Sequence, residues 1–237
     1  MRKQIAAANW KMNLTFKEAS NLTRFLSEHN NCHKLIIASP TPYIAYLAQN
    51  YQQLSFCAQD VSVKNAFGSY TGESSAKFFK SCGVNYSLIG HSERRTLFGE
   101  TNGIVRKKAE VCIENQITPI ICIGESEALR NSGSYKEFLL TQLEESLPKT
   151  DKRMIIAYEP VWAIGTQITP TIEQITEVAE LIKTKYQSIV AKTMQLVYGG
   201  SVNSENCKDI INIKDISGIL VGGASLNKDK LFKILNS

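Results

Sequence analysis

Short, continuous apolar runs recur along the whole chain, and they constrain its fold more than any other feature. A run that is apolar at every position is typical of a strand buried on both faces of a parallel sheet, because a strand with one solvated face alternates instead. The sequence predicts eight such strands. They lie at residues 5–8, 35–38, 54–57, 86–89, 117–123, 154–158, 196–198 and 218–221.

Segments with helical periodicity separate the apolar runs. Residues 171–186 place one apolar stripe opposite Glu and Lys side chains, and residues 102–114 and 134–147 show a similar pattern. Strands that alternate with helices predict β/α units, and eight units suit a closed (β/α)8 barrel, which is usually about 250 residues long. We therefore expect residues 1–237 to form a single α/β barrel domain.

An open, doubly wound sheet is the main alternative architecture. Such a sheet more often carries a glycine-rich dinucleotide-binding turn after its first strand. The corresponding segment, IAAANWKMN, has no glycine. The closed barrel is therefore the preferred interpretation.

Composition and charge argue against membrane and nucleic-acid functions. No run approaches the roughly 18–20 apolar residues of a membrane span. The amino-terminal segment reaches Lys11 and Asn13 too early for the apolar core of a signal peptide. The formal net charge of +5 is dispersed among acidic residues, so nucleic-acid binding is weakly supported. We expect a cytoplasmic protein with no membrane and no nucleic-acid partner.

The six cysteines and three histidines do not form a metal-binding pattern. No two cysteines form a C-x-x-C pair, and most lie inside apolar runs, so we expect buried, reduced thiols and no metal. His29 and His33 lie in a polar stretch and are expected to face water. The cysteines are Cys32, Cys57, Cys82, Cys112, Cys122 and Cys207.

Polar residues and glycines follow the predicted strands at their carboxyl ends. Chance would scatter such residues over both ends, whereas the active site of a barrel lies at the carboxyl ends alone. Their placement therefore predicts an active site. The residues are Asn9, Lys11, Gln59, His91, Glu93, Gly124, Glu125, Glu159, Gly199, Gly200, Ser201, Gly222 and Gly223.

Two glycine pairs follow the last two predicted strands, in YGGS and VGGAS. Glycine lets the backbone approach a ligand closely and point several N–H groups at an anion. One such pair would more often form only a tight turn. Because both pairs follow adjacent strands where barrels often bind phosphate, together they favour a phosphate site.

Glu159 and His91 are the candidate acid–base residues. An apolar segment follows Glu159 at once, and a carboxylate buried by such a segment would be a better base near neutral pH than an exposed one. His91 precedes a segment that looks like a helix start, with Ser92 as the expected N-cap and Glu93 in the first turn. That position would favour a neutral imidazole that donates a hydrogen bond.

Lys11 has three possible roles: a Schiff-base nucleophile, a fixed positive charge for an anion, or a solvated side chain. A carboxylate base, a neutral imidazole donor, an ammonium group and a phosphate site together indicate proton abstraction beside a carbonyl group. The substrate would be a small phosphorylated molecule.

The sequence resembles the triosephosphate isomerase family over its whole length. The matching motifs are specific in combination. In chain order they are NWKMN, AQDVS, SYTGE, IGHSERR, CIGE, YEPVWAIGT, YGGSV and GILVGGASL. The resemblance implies interconversion of dihydroxyacetone phosphate and glyceraldehyde 3-phosphate, in glycolysis and gluconeogenesis, with no cofactor and no metal.

The resemblance also implies individual roles. Glu159 would move a proton between C1 and C2 of the substrate, and His91 would polarise the carbonyl oxygens. Lys11 and Asn9 would contact the same region, and Glu93 would orient Lys11. Phosphate would be bound by the N–H groups of Gly165, Ser201, Gly222 and Gly223. A lid would comprise Pro160, Val161, Trp162, Ala163, Ile164, Gly165 and Thr166, with Ile164 and Leu220 pressing on Glu159.

A homodimer is a further implication of the resemblance. Segment 63–72 matches a loop that inserts into the partner subunit and brings Thr71 near the partner's active site. The chain reads GSYTG there, where GAFTG is common in the family. Within this loop Phe67 and Tyr70 are expected to be exposed until a partner covers them.

The lid region departs from the family pattern after Thr166. Family members commonly continue GTGKTATPEQ, whereas this chain reads GTQITPTIEQ. Gln167, Ile168 and Pro170 replace a glycine, a lysine and an alanine. Because proline fixes its own φ and restricts Thr169, we expect the lid to open differently from the family norm.

Two alternative functions remain open on the sequence. One is an aldolase-type barrel in which Lys11 forms a Schiff base with a phosphosugar. The other is an inactive barrel that serves as a binding module, although the residues that match the family's catalytic motif are intact.

Overall fold

The strands form one closed, parallel barrel. The computed structural model describes residues 4–29, 34–166, 168–189 and 194–237. Each strand pairs with the next along the chain, and the last pairs with the first. The strands are β1 (Ile5–Asn9), β2 (Lys34–Ser39), β3 (Ser55–Ala58), β4 (Tyr86–Ile89), β5 (Thr118–Ile123), β6 (Ile155–Tyr158), β7 (Gln195–Tyr198) and β8 (Gly218–Val221).

Helices follow the strands and pack around the barrel. They are α1 (Phe16–His29), α2 (Thr41–Asn50), α3 (Ala76–Ser81), α4 (Ser92–Phe98), α5 (Asn102–Glu114), α6 (Glu127–Asn131), α7 (Tyr135–Ser146), α8 (Ile172–Ile189), α9 (Cys207–Asn212) and α10 (Lys228–Leu235). Two short 3₁₀ turns, Val161–Ala163 and Gly223–Leu226, follow β6 and β8. Local capping fixes several starts. For example, the Thr101 hydroxyl accepts a hydrogen bond from the N–H of Ile104 at the start of α5.

The apolar runs are continuous because both faces of each strand are buried. Along β1, Ile5 and Ala7 point into the barrel interior, whereas Ala6 and Ala8 pack in the layer between barrel and helices. The same division applies around the barrel. Where β1 and β8 close the barrel, the backbones approach so tightly that a Cβ on Gly218 would lie 2.0 Å from the carbonyl oxygen of Ile5.

The structure confirms the predicted barrel, and the open-sheet alternative is wrong. All eight predicted runs are strands, and no strand end differs from the prediction by more than one residue. The predicted helix at 102–114 has the predicted bounds, and those at 134–147 and 171–186 become α7 and α8. In the described ranges, no helix is long and apolar enough to cross a membrane.

The cysteines and histidines lie largely where the sequence indicated. The five cysteines in the described ranges are free thiols, four of them buried and Cys82 half-buried. His29 is exposed. No metal-binding cluster of His, Cys, Asp or Glu occurs among the described residues. Three residues named in the sequence analysis, Cys32, His33 and Gln167, lie outside them.

Candidate active site

A cavity of about 540 Å³ opens at the carboxyl ends of the strands. Residues from widely separated parts of the sequence line it because the closed barrel brings all eight strand ends to one mouth. Most of the candidates from the sequence line it, namely Asn9, Lys11, His91, Glu159, Ile164, Gly165, Thr166, Gly199, Gly200, Ser201, Leu220, Gly222 and Gly223. The lining does not include Gln59, Gly124, Glu125 or the first part of the predicted lid, residues 160–163. Glu93 reaches this cavity indirectly, through an ion pair with Lys11.

Lys11 is held in a fixed position at the mouth. Its backbone has φ of 52°, a left-handed conformation that is uncommon for residues other than glycine. The Asn9 side chain accepts a hydrogen bond from the Lys11 N–H at 3.0 Å, and the Gln59 side chain donates to the Lys11 carbonyl at 2.8 Å. The Lys11 ammonium lies 2.6 Å from a carboxylate oxygen of Glu93. These contacts fit a positioned charge rather than a solvated side chain.

Gln59 holds the Lys11 loop through contacts that the sequence did not reveal. Its side-chain amide also donates to the Ala38 carbonyl at 3.0 Å, so it ties the Lys11 loop to the end of β2. The only signal in the sequence was a polar residue directly after the third apolar run.

His91 itself caps α4, and the predicted cap at Ser92 is wrong. Helix α4 begins at Ser92, and the His91 ring nitrogen Nδ1 accepts a hydrogen bond from the Glu93 N–H at 3.2 Å. An imidazole nitrogen can therefore take the place of the hydroxyl or carboxylate oxygen that usually caps a helix. Because Nδ1 is the acceptor, the neutral ring carries its proton on Nε2.

Glu159 is buried, with 1% of its surface exposed, yet no lysine or arginine in the described ranges forms an ion pair with it. One carboxylate oxygen, Oε2, accepts a hydrogen bond from the Ser92 N–H at 3.1 Å. The other, Oε1, lies 3.4 Å from His91 Nε2 and is without a hydrogen-bond partner among the described residues. A buried carboxylate with one unsatisfied oxygen at the wall of a cavity is suited to take a proton.

The thiol of Cys122, on β5, contacts the Glu159 side chain. Burial raises the pKa of the Cys122 thiol well above its usual value, and the Glu159 charge raises it further. The thiol therefore stays protonated and unreactive, consistent with the predicted buried, reduced state.

The segment after Glu159 is only partly exposed. Ala163 is buried, and Val161, Trp162 and Ile164 are half-buried, whereas Gly165 and Thr166 are exposed. The apolar side chains of this segment therefore do not project into water as a free loop would.

A buried acid that the sequence did not single out for this role anchors the segment. Glu125 Oε1 accepts hydrogen bonds from the Trp162 indole at 2.9 Å and from the Tyr158 hydroxyl at 3.1 Å. At the far side, the Ser201 hydroxyl contacts the carbonyls of Ala163 and Thr166 at 2.6 and 3.1 Å. The segment is thus tied to the strand ends on both sides of the cavity.

The glycine pairs are explained partly by close packing. A Cβ on Gly200 would lie 2.2 Å from the Tyr198 hydroxyl, and one on Gly199 would lie 3.0 Å from Glu159 Cγ. Gly222 and Gly223 have more room. Among the described residues at this end of the cavity, the N–H groups of Gly165, Ser201, Gly222 and Gly223 donate to no other protein group. Backbone N–H groups that are not used within the protein and lie at a cavity wall suit an anion.

Fold and site together define the class: the chain is a (β/α)8-barrel enzyme with its polar cavity at the carboxyl ends of the strands. Comparison with known sequences makes the class specific. A sequence model described as "Triosephosphate isomerase" matches residues 4–237.

Curated relatives cover the chain almost completely. Proteins named triosephosphate isomerase from Cytophaga hutchinsonii and Porphyromonas gingivalis are 40% and 38% identical to this chain, and the matches span 100% of both sequences in each case. One from Francisella philomiragia is 39% identical over 99% of this chain and 96% of its own length. The chain therefore belongs to the triosephosphate isomerase family, and it is an isomerase.

Proposed function

We propose that this cavity interconverts dihydroxyacetone phosphate and glyceraldehyde 3-phosphate by a proton transfer through Glu159. One observation carries the proposal: the buried, unpartnered Oε1 of Glu159 lies 3.4 Å from His91 Nε2, in a cavity that also holds a fixed ammonium group and four free N–H groups. The relatives' names support the same reaction.

Glu159 acts as the base. Its carboxylate takes a proton from C1 of dihydroxyacetone phosphate, the C–H electron pair forms the C1–C2 double bond, and the C2 carbonyl oxygen becomes negative. Return of the proton to C2, with proton exchange between the two oxygens, gives the aldehyde.

His91 and Lys11 stabilise the negative charge that develops on oxygen. Because His91 Nδ1 accepts the hydrogen bond from the Glu93 N–H, the ring proton is on Nε2, and this N–H group faces the cavity. The Lys11 ammonium, held by Glu93, supplies a positive charge without having to reorganise. Fixed donors aimed at developing charge usually contribute more to an enzyme's rate enhancement than any other single effect. Asn9 supports this arrangement through its contact with the Lys11 backbone.

The phosphate group is bound at the β7 and β8 ends. The free N–H groups of Ser201, Gly222 and Gly223 provide a preformed anion site, and Gly165 adds one from the lid. Because Gly165 lies on the segment after Glu159, substrate binding favours closure of this lid, residues 160–166. Closure would exclude water and press Ile164 against Glu159 opposite Leu220.

The direct test is turnover of glyceraldehyde 3-phosphate in an assay coupled to reduction of the ketone product. Lys11 is already ion-paired with Glu93, which argues against a Schiff base, and the family assignment favours the isomerase over the aldolase and the inactive barrel. Borohydride trapping checks this. A stable adduct at Lys11 would support an aldolase, and its absence in an active enzyme would support the isomerase.

Pro170 is expected to slow or restrict lid opening. It is buried directly before the capping interaction in which the Thr171 N–H donates to the Gln174 side chain at 2.9 Å. Its fixed φ restricts the far end of the lid. NMR exchange measurements on the lid should show altered opening in Pro170→Ala compared with the unsubstituted chain. Identical kinetics would contradict the expectation.

We also propose that the chain forms a homodimer in the cytoplasm and acts in glycolysis and gluconeogenesis. In segment 63–72, Phe67 is 65% and Tyr70 41% exposed, and Phe67 stacks on the exposed Phe78 ring at 5.0 Å. Exposed aromatic side chains grouped in this way are typical of an interface. Thr71, which is also exposed, would enter the mouth of the partner subunit's active-site cavity.

Phe67→Asp should weaken this dimer. Placing a charge in the centre of an apolar contact is expected to raise the dimer dissociation constant by about 30-fold or more, equivalent to about 2 kcal/mol. Sedimentation velocity over a dilution series measures it. Phe232→Asp, at a half-exposed phenylalanine on α10, is the matched control and should leave the dimer intact. An unsubstituted chain that sediments as a monomer would refute the dimer.

A further inference from the structure

Arg95 on α4 has contacts that no step of the proposed mechanism uses. The residue is half-buried, and its guanidinium makes four hydrogen bonds. Nε donates to the Gly90 carbonyl at 2.8 Å, and Nη1 donates to the Asn102 side chain at 2.7 Å. Nη2 donates to the Cys122 carbonyl at 3.1 Å and to the Ser146 hydroxyl at 3.2 Å. One side chain therefore joins the ends of β4 and β5 to helices α5 and α7.

The turn that Arg95 holds is the one that carries His91. Gly90 has φ of 66°, a conformation that residues with a Cβ disfavour. A Cβ on Gly90 would lie 2.5 Å from Val105 and 3.1 Å from Arg95 Nη2, so the back of the turn is fully packed. Because Nε binds the Gly90 carbonyl, it fixes the plane of the peptide that leads into His91.

The contact with β5 links Arg95 to Glu159 through Cys122. Cys122, whose carbonyl accepts from Nη2, interacts through its thiol with the Glu159 carboxylate. Burial lowers the pKa of the Arg95 guanidinium, and the nearby Cys122, Glu159 and Glu100 oppose that shift.

We propose that Arg95 is a positioning residue for the reaction. Its hydrogen bond to the Gly90 carbonyl orients the His91 ring, and its hydrogen bond to the Cys122 carbonyl holds in place the residue that packs against Glu159. The catalytic consequence rests on the proposed function. The geometric consequence, which ring nitrogen of His91 carries the proton when no substrate is added, does not depend on it.

The test compares Arg95→Gln and Arg95→Lys with the unsubstituted chain. Arg95→Gln removes the guanidinium group, with its set of N–H donors and its positive charge. We expect kcat to fall about 100-fold, as for a displacement of about 1 Å at the reacting groups, with KM unchanged because the phosphate site lies on β7 and β8. Arg95→Lys keeps the charge and one donor, and it should recover part of kcat. If the Arg95→Gln protein does not fold stably enough to be assayed, Arg95→Lys is the variant that tests the proposal.

The second readout is ¹⁵N NMR of the His91 ring without substrate. In the unsubstituted chain Nδ1 should be the unprotonated acceptor and Nε2 the protonated nitrogen. Both signals should change in the Arg95 variants. Ser146→Ala, the matched control, removes a hydrogen bond of the same guanidinium that touches neither strand end, so it should leave kcat and the His91 signals unchanged.

The two readouts, kcat and the His91 signals, together decide whether the proposal stands. A lower kcat together with changed His91 signals supports the proposal. A lower kcat with unchanged His91 signals, changed signals with normal kcat, or no change in either readout overturns it. If the unsubstituted chain lacks isomerase activity, the proposed function fails, but the His91 signals still decide whether Arg95 sets the ring.

Discussion

Glu159→Gln is expected to lower kcat by about two to four orders of magnitude, the usual contribution of a general base, while KM changes little. The amide keeps the size of the side chain and can still lie beside the Ser92 N–H, but it cannot accept the substrate proton. The coupled assay with glyceraldehyde 3-phosphate measures the effect. Glu159 is the one carboxylate among the described residues that line the cavity, so none of these could replace it as the base.

Two further variants sharpen this test. Glu159→Asp keeps the carboxylate but withdraws it by about 1 Å, which should cost on the order of 100-fold. Glu173→Gln, at an exposed acid in the first turn of α8, is the control and should retain full activity. If Glu159→Gln or Glu159→Asp turned over as fast as the unsubstituted chain, Glu159 would have no part in proton transfer.

Gly124→Ala is expected to damage both stability and catalysis. A Cβ at this position would lie 1.7 Å from the Glu159 carbonyl oxygen and 2.6 Å from its carbonyl carbon, so the backbone of the base must move. Overpacking of this kind usually costs about 1–3 kcal/mol of the free energy of unfolding and can cost more. The displaced base should also lower kcat by on the order of 100-fold.

Thermal unfolding and kcat of the purified variant check both parts. Gly103→Ala is the matched control. Gly103 lies in α5, where a Cβ would meet nothing closer than 3.9 Å, and alanine favours a helix by about 1 kcal/mol over glycine. It should therefore be neutral or slightly stabilising. A Gly124→Ala protein as stable and active as this control would show that the strand end tolerates displacement.

The barrel could be predicted from sequence because burial on both faces leaves a signal inside each strand. Ile5 and Ala6 face opposite layers, yet both must be apolar, so the run is continuous. The mouth could be predicted because parallel strands bring all their carboxyl ends together. The candidate residues for it were therefore found from their place after each strand, without knowledge of any contact.

Contacts between distant segments could not be predicted in the same way. Arg95 reaches Cys122 and Ser146, and Gln59 reaches Lys11, across separations that no local pattern encodes. The cap at His91 was missed for another reason. Because hydroxyl and carboxylate side chains dominate helix caps, the sequence favours Ser92 as the cap over His91, whose ring nitrogen accepts the Glu93 N–H.

The pairing of β1 with β8 has a consequence for how the chain acquires its activity during synthesis. Asn9 and Lys11 leave the ribosome long before Gly222 and Gly223, which lie beside them at the mouth of the cavity. Until β8 arrives, the edge of β1 has no partner on that side and the proposed anion site is incomplete. A nascent chain is therefore expected to be inactive until β8 has been translated, and the exposed edge of β1 is the place where a chain stalled before β8 would aggregate.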